Sequence, residues 1–412
     1  MEDHEHRAIK NLRSGEGKVI HTNYQHQLAK QTRTNLLLLV TVLINLLACT
    51  AEVQAQKKNF VIRYINRLIN DTTDIREPQF ISYPTLAFAP ETSWEFGLSS
   101  LYVYYAQRDT TNRLSEIYGF TFYTLQRQYG LWFDHSLYSA GNSWSILGRI
   151  RLQNFPLLYY GIGPNTDREY IARVDALQLN LRERVLKKIG RNFFLGPEVD
   201  FQRLSSTEFV PHGQTVVDKP PGSDGSTNLG IGGGLVYDNR HNVLNVREGG
   251  FAELALLHYD GKWGSDFSFT SIISDNRIYK SINKRDVLAA QVFGQFSINQ
   301  PPFNQLSLLG GESLMRGYYF GRYRDRNQLA AQVEYRMLPL PLSFTKRFGA
   351  AVFASTGTVF NDFTQLNTSN LKFAGGAGLR FLLFPKKDIF SRLDLAFTPE
   401  GRGIYILIGE AF

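Results

Sequence analysis

The sequence predicts an all-β protein: a 16-stranded antiparallel transmembrane β-barrel with a short N-terminal amphipathic helix. Three observations carry that expectation. Apolar and polar residues alternate with a period of two through most of the chain after Pro78. No run of 18 apolar residues occurs, which excludes helical membrane spans. The polar face of several segments carries Arg, Gln and Glu at successive positions, as a hydrated lumen requires and the core of a soluble sandwich does not.

Composition narrows the classes further. Phe (30) and Tyr (21) are too abundant among 412 residues for a disordered chain, and one Cys excludes a disulfide scaffold. The net charge of +8 comes from Lys and Arg scattered along the whole length. No basic cluster points to nucleic acid, so none is expected as a partner.

The chain opens on an address. Lys30 and Arg33 precede an apolar run from Leu36 to Leu47, and Val53-Gln54-Ala55 follows as a small-residue cleavage site. Residues 1–55 are therefore expected to be a signal peptide with a long n-region, and Gln56 the mature start. The alternative is lipidation of Cys49 after Leu46-Leu47-Ala48. Residues 56–78 form a short periplasmic segment. Within it, Phe60, Tyr64 and Leu68 oppose Arg63, Asn66 and Arg67 at helical spacing, which predicts a helix from Lys57 to about Asn70.

Residues 79–412 carry the barrel. Strands are expected over 80–89, 94–106, 115–126, 130–138, 143–153, 170–186, 193–206 and 229–238. Eight more cover 250–259, 266–275, 288–298, 328–338, 349–359, 372–383, 391–398 and 403–412. Most approach the ten residues a tilted membrane strand needs. Short connections, Ser139–Asn142 and Lys187–Arg191, are expected on the periplasmic side. The long ones, Thr207–Asn228 and Gln300–Asn327, belong outside. The connection 239–249 is longer than a periplasmic turn needs, and the sequence offers no reason for it. Gly230, Gly232, Gly233 and Gly234 precede no helix, so they read as strand kinks and not as a phosphate loop.

Catalytic and metal chemistry find little support. The mature chain keeps only His135, His212, His241 and His258, and none is close to another in sequence. No zinc-ligand spacing and no G-x-S-x-G elbow occurs, so no catalytic residue, metal or cofactor is expected.

The stretch Gly310-Gly311-Glu312-Ser313-Leu314-Met315-Arg316-Gly317-Tyr318 resembles the sixth-loop signature of the BamA/TamA superfamily of outer-membrane barrels, the bacterial surface antigen family. Four further blocks resemble the same family. They are Asp238–Asn242 with Gly249-Gly250, Glu334-Tyr335-Arg336, Gly376–Phe384 with Arg392 and Asp394, and Tyr160-Gly161-Ile162-Gly163. The final Phe412 also suits the family. Members that insert other barrels carry periplasmic POTRA modules, but only about 24 residues separate Ala55 from Phe80. The resemblance is therefore to a short branch lacking them. It implies a Gram-negative outer-membrane location, outer-membrane lipid as surroundings, and an accessory role in membrane assembly or protein transport. It also implies recognition by the barrel-assembly machinery through a C-terminal strand ending at Phe412. A passive pore and a barrel-embedded lipid hydrolase are the alternatives.

Two constellations follow. In 328–338 the apolar face is Leu329, Ala331, Val333, Tyr335 and Met337, so Gln332, Glu334 and Arg336 point inward. Residues 300–327 hold four arginines after the double glycine, and folding inward would pair Arg316 with Glu334. Tyr318 would pack beside the pair, Met315 would precede it, and Gly317 would permit close approach to the wall. The family carries a second carboxylate where Ser355 stands, which predicts a weakened lock here. Glu410 likewise replaces an aromatic residue. The second constellation is a lateral seam between 80–89 and 403–412. There Pro84 cannot donate a ladder hydrogen bond, Gly409 permits a bend and Phe412 ends the strand.

Overall fold

The alternation becomes one continuous antiparallel ladder in the computed structural model, which describes residues 74–412 apart from 90–92, 126, 155 and 284. The expected signal peptide, Cys49 and the expected helix over 57–70 lie outside the described residues.

β1 (Gln79–Ala89), β2 (Ser93–Tyr105), β3 (Leu114–Thr124), β4 (Tyr129–Tyr138) and β5 (Trp144–Asn154) pair in succession. β5 and the short β6 (Leu157–Tyr159) both pair with β7 (Ala172–Gly190), which pairs with β8 (Phe193–Pro211). The ladder continues through β9 (Ser226–Asp238), β10 (Gly249–Tyr259), β11 (Phe269–Ser281) and β12 (Asp286–Ile298). Inside the next connection, β13 (Ser307–Leu309) and β14 (Tyr323–Asp325) form a separate two-stranded sheet. β12 then pairs with β15 (Asn327–Met337), and the ladder ends through β16 (Phe348–Phe360), β17 (Lys372–Phe384), β18 (Ile389–Thr398) and β19 (Gly401–Ile408). Each of the sixteen expected segments has its long strand. The β7–β8 hairpin outgrows the expectation, at 19 residues per strand, so 187–190 is ladder and the connection shrinks to 191–192. Two bulges, after Asp175 and after Lys188, absorb the register shifts of so long a hairpin.

Burial is inverted relative to a water-soluble protein. On β15 the apolar Leu329 and Val333 are 36% and 42% exposed, whereas Glu334 and Arg336 are fully buried. Leu254, Leu256, Leu379, Leu395, Ile404 and Ile406 are exposed in the same way on other strands. A sandwich would have packed these faces together. Trp94, Tyr123 and Tyr129 are exposed near one end of the strands, and Trp144, Phe193 and Phe348 near the other. An apolar outer band between two aromatic girdles is what a hydrocarbon layer requires.

The outward face also carries polar pairs. His135 on β4 and Glu183 on β7 share the outward face and meet across Gly148, with Nε2 3.2 Å from Oε1. A Cβ on Gly148 would stand 2.2 Å from the Glu183 carboxylate, so the glycine makes the room.

An even number of antiparallel long strands returns the chain to the end where it began, so Gln79 and Ile408 share one end, here the terminal end. The connection 239–248 spans it as a strap, which accounts for its length. Asp238 holds Arg240 through two hydrogen bonds of 3.0 and 3.1 Å, and Arg113 joins the same carboxylate. Asn242 donates to the Lys387 carbonyl, while Asn245 and Arg247 bind Asp388 in the β17–β18 turn.

Among the described residues β1 pairs with β2 and β19 with β18, and no ladder joins β1 to β19. Side chains of both ends share one apolar cluster, with Ile81 and Tyr83 near Phe384, Ile389 and Ile408. Pro84 lies within the paired portion of β1, opposite Leu98. Gly409, at φ +80°, turns the chain out of the ladder, so the last strand ends at Ile408 and not at residue 412. Phe412 is therefore not a seam residue. It turns inward beside Tyr279, Val246 and Ala289, and its carbonyl accepts from Arg336 at 3.0 Å.

Candidate functional site

The interior wall gathers its charge where β15, β17 and β18 face the long connection 299–326. Strand parity aims Glu334 and Arg336 of β15, Arg380 of β17, and Arg392 and Asp394 of β18 at the same region. Arg316 enters from the connection. Its Nη2 lies 2.5 Å from Glu334 and its Nη1 2.6 Å from Asp394, and the guanidinium sits 3.5 Å from the Phe353 ring centroid. All three charged side chains are 1% exposed or less, which makes these charge-assisted bonds in a desolvated setting.

The local chain is shaped for that insertion. Met315 takes φ +55° and is fully buried with Leu309, Ala330 and Val359. Gly317, at φ +105°, donates its N–H to the Tyr405 hydroxyl at 2.9 Å, and a Cβ there would come within 2.7 Å of Thr398. Tyr318 packs edge-on against Tyr323 and donates to the Phe373 carbonyl.

Ser355 is not part of the pairing. It faces inward from β16, but its hydroxyl reaches only the Ala374 carbonyl, at 3.5 Å. The second carboxylate at Arg316 comes from β18 as Asp394. Sequence reasoning noticed Asp394 as a family position without giving it a partner, because nothing local ties residue 394 to residue 316.

The network extends beyond the expected pair. Arg336 Nε is 2.7 Å from Glu334. Arg380 bridges Asp394 at 2.6 Å and Glu410 at 3.0 Å, and Arg392 adds a contact to Asp394 at 3.1 Å. Glu410, a departure from the family pattern, thus has its own counter-charges, and through it the C-terminal tail joins the network.

Further along, the connection is held to the outer rim. Arg322 binds Glu400 at 2.6 Å and Thr166 Oγ1 at 2.7 Å, and stacks on Tyr160. The Arg324 carbonyl accepts from Gly163 and its guanidinium donates to Leu158. The Tyr160–Gly163 block is therefore a receptor for this connection. Burial, with the hydrogen bond to Glu400 second, raises the Tyr323 hydroxyl above its ordinary pKa. Residues of the connection and of the wall line a common cavity of about 960 Å³, with Arg149, Arg182 and Asp200 among its charged lining.

These features define a class: an antiparallel barrel with an apolar exterior, a polar interior and a long arginine-bearing connection packed against inward carboxylates. The chain belongs to the Omp85 superfamily, whose domain model matches residues 113–384. No match was found among curated proteins. Among solved structures it is similar to CdiB from Escherichia coli, at 10% identity over 80% of this chain and 62% of that one, with a TM-score of 0.53. It is also similar to BamA from Haemophilus ducreyi lacking POTRA domains 1–3, at 13% identity over 81% and 69%, with a TM-score of 0.48. The likeness to CdiB is one of fold, and this chain spans less than two thirds of that protein's length.

Proposed function

We propose that this protein is a non-enzymatic outer-membrane barrel accessory to membrane-protein assembly or secretion. In this reading, connection 299–326 acts as an internal lock. The observation that carries it is the burial of Arg316 between Glu334 and Asp394. A buried cation held by two carboxylates from different strands costs several kcal/mol of desolvation unless its partners stay in place, so the connection has one strongly favoured position. A permanently open pore needs no such arrangement. The exposed apolar band supports a location in lipid, and family membership supports the outer membrane and protein partners.

The hydrolase alternative requires a serine facing a histidine. Among the described residues His258 meets Thr270 at 2.8 Å and His135 meets Glu183, and no serine hydroxyl is bonded to either. The passive-pore alternative is separable by experiment. Arg316→Ala should raise single-channel conductance in planar bilayers and, in cells, lower the outer-membrane or secreted level of client proteins. Raised conductance with an unchanged outer-membrane and secreted proteome would favour the pore.

A further inference from the structure

Antiparallel pairing sorts the connections onto two ends, and their charges differ in sign. Away from the chain termini, connections 155–171, 212–225, 260–268 and 361–371 hold seven carboxylates against three cations, while connection 299–326 at the same end holds two carboxylates and four arginines, of which Arg316 and Arg322 are paired with carboxylates of the strands and of the 399–400 turn. At the terminal end the balance reverses. The hairpins spanning 187–193, 280–286 and 338–348 hold eight cations and one carboxylate. That carboxylate, Asp286, already accepts from Asn283 at 2.7 Å and from the Tyr335 hydroxyl at 2.8 Å.

Each of the three hairpins also exposes an apolar tip. Ile189 is 58% exposed between Lys188 and Arg191. Ile282, between Lys280 and Arg285, is 51% exposed, and Phe344, beside Lys346, is 79% exposed. Among the described residues none of these five cations is in ion-pair contact with a carboxylate. The rings of Trp144, Phe193 and Phe348 are exposed at the same end, where an aromatic girdle marks the boundary of the hydrocarbon. In ladder order the three hairpins run from β7 to β16, half of the long strands. The strap 239–248 lies between them and binds across the mouth instead of standing on the rim.

An apolar tip left in water is unfavourable, whereas the hydrated cations beside it carry no such penalty. The tips gain by entering the acyl boundary, and the cations then gain attraction to the phosphates. We propose that these three hairpins form a binding rim for the phosphates of anionic glycerophospholipids in the leaflet at the terminal end. The opposite, acidic end would repel the same headgroups, which assigns the preference to one leaflet.

The test uses the full folded chain in nanodiscs of phosphatidylcholine, alone or mixed with phosphatidylglycerol or with lipopolysaccharide. Native mass spectrometry counts the lipids retained. Wild type should retain phosphatidylglycerol over phosphatidylcholine, and K188Q/R191Q/K280Q/R285Q/K346Q should reduce that ratio at least about tenfold. Phe344→Ser, which keeps every charge, should weaken retention of either lipid. Salt on the order of 0.5 M should erase the wild-type preference, a readout that needs no variant to fold. Equal retention of both phospholipids by wild type, a salt-insensitive preference, or retention of lipopolysaccharide that depends on these same five residues would overturn the proposal.

Discussion

Arg316 and Glu334 offer the sharpest test of the interior network. The buried cluster holds four guanidinium groups, of Arg316, Arg336, Arg380 and Arg392, and three carboxylates, of Glu334, Asp394 and Glu410. Among these side chains cations outnumber carboxylates by one, and Arg336 also donates to the Phe412 main-chain oxygen. Arg316→Ala removes two charge-assisted bonds, nominally about 1.5–3 kcal/mol each. It also equalises the side-chain cations and carboxylates at three each, and neither carboxylate is left bare. Glu334 keeps Arg336 at 2.7 Å and Asp394 keeps Arg380 at 2.6 Å. The expected cost is thus near the lower end for breaking a buried pair, about 3 kcal/mol. Glu334→Ala leaves four cations facing two carboxylates in a desolvated site, so its cost should be larger, about 5 kcal/mol. In the double variant the uncompensated charge falls again, and the combined loss should be smaller than the sum by at least about 1.5 kcal/mol. Reversible urea unfolding from detergent or lipid, followed by tryptophan fluorescence, measures all three. A strictly additive double variant, or Arg316→Ala costing more than Glu334→Ala, would falsify this account of the network.

Three further outcomes are expected. Gly317→Val places a side chain at φ +105° and within 2.7 Å of Thr398, so it should destabilise the barrel by about 3 kcal/mol in the same assay, against less than about 0.5 kcal/mol for an exposed loop glycine in an extended conformation. Gly148→Val must displace the Glu183 carboxylate and the His135 ring. It should cost about 1–3 kcal/mol, and less when combined with His135→Ala; equal costs in both backgrounds would mean that the two side chains do not meet there. The third outcome concerns pH. Burial raises the Asp325 carboxyl above its ordinary pKa. A raised carboxyl pKa means the charged form is disfavoured in the folded state, so the penalty is present above the folded pKa and vanishes below the unfolded one. Asp325→Asn should therefore raise Tm at neutral pH, and the gain should disappear as pH falls through the carboxylate range. A gain that persists at low pH would assign it to a cause other than charge.

Strand period determined the wall. The alternation of Leu329, Ala331 and Val333 with Gln332, Glu334 and Arg336 is local, so it was legible without any knowledge of neighbours. The Arg316–Glu334 contact was legible for the same reason, since one face of β15 had to receive whatever folded inward. Sequence could not supply Asp394 as the other partner, because residues 78 apart meet only once β15 and β18 curve toward the same connection. It misjudged Ser355 and the fate of Phe412. A strand period says which face a residue occupies but not where the ladder stops, and a single positive φ at Gly409 turned the last residues inward. The length of 239–249 was opaque for a related reason. Its purpose is to reach Asp388 across the terminal end, and the distance it must cover is set by the fold, not by the segment itself.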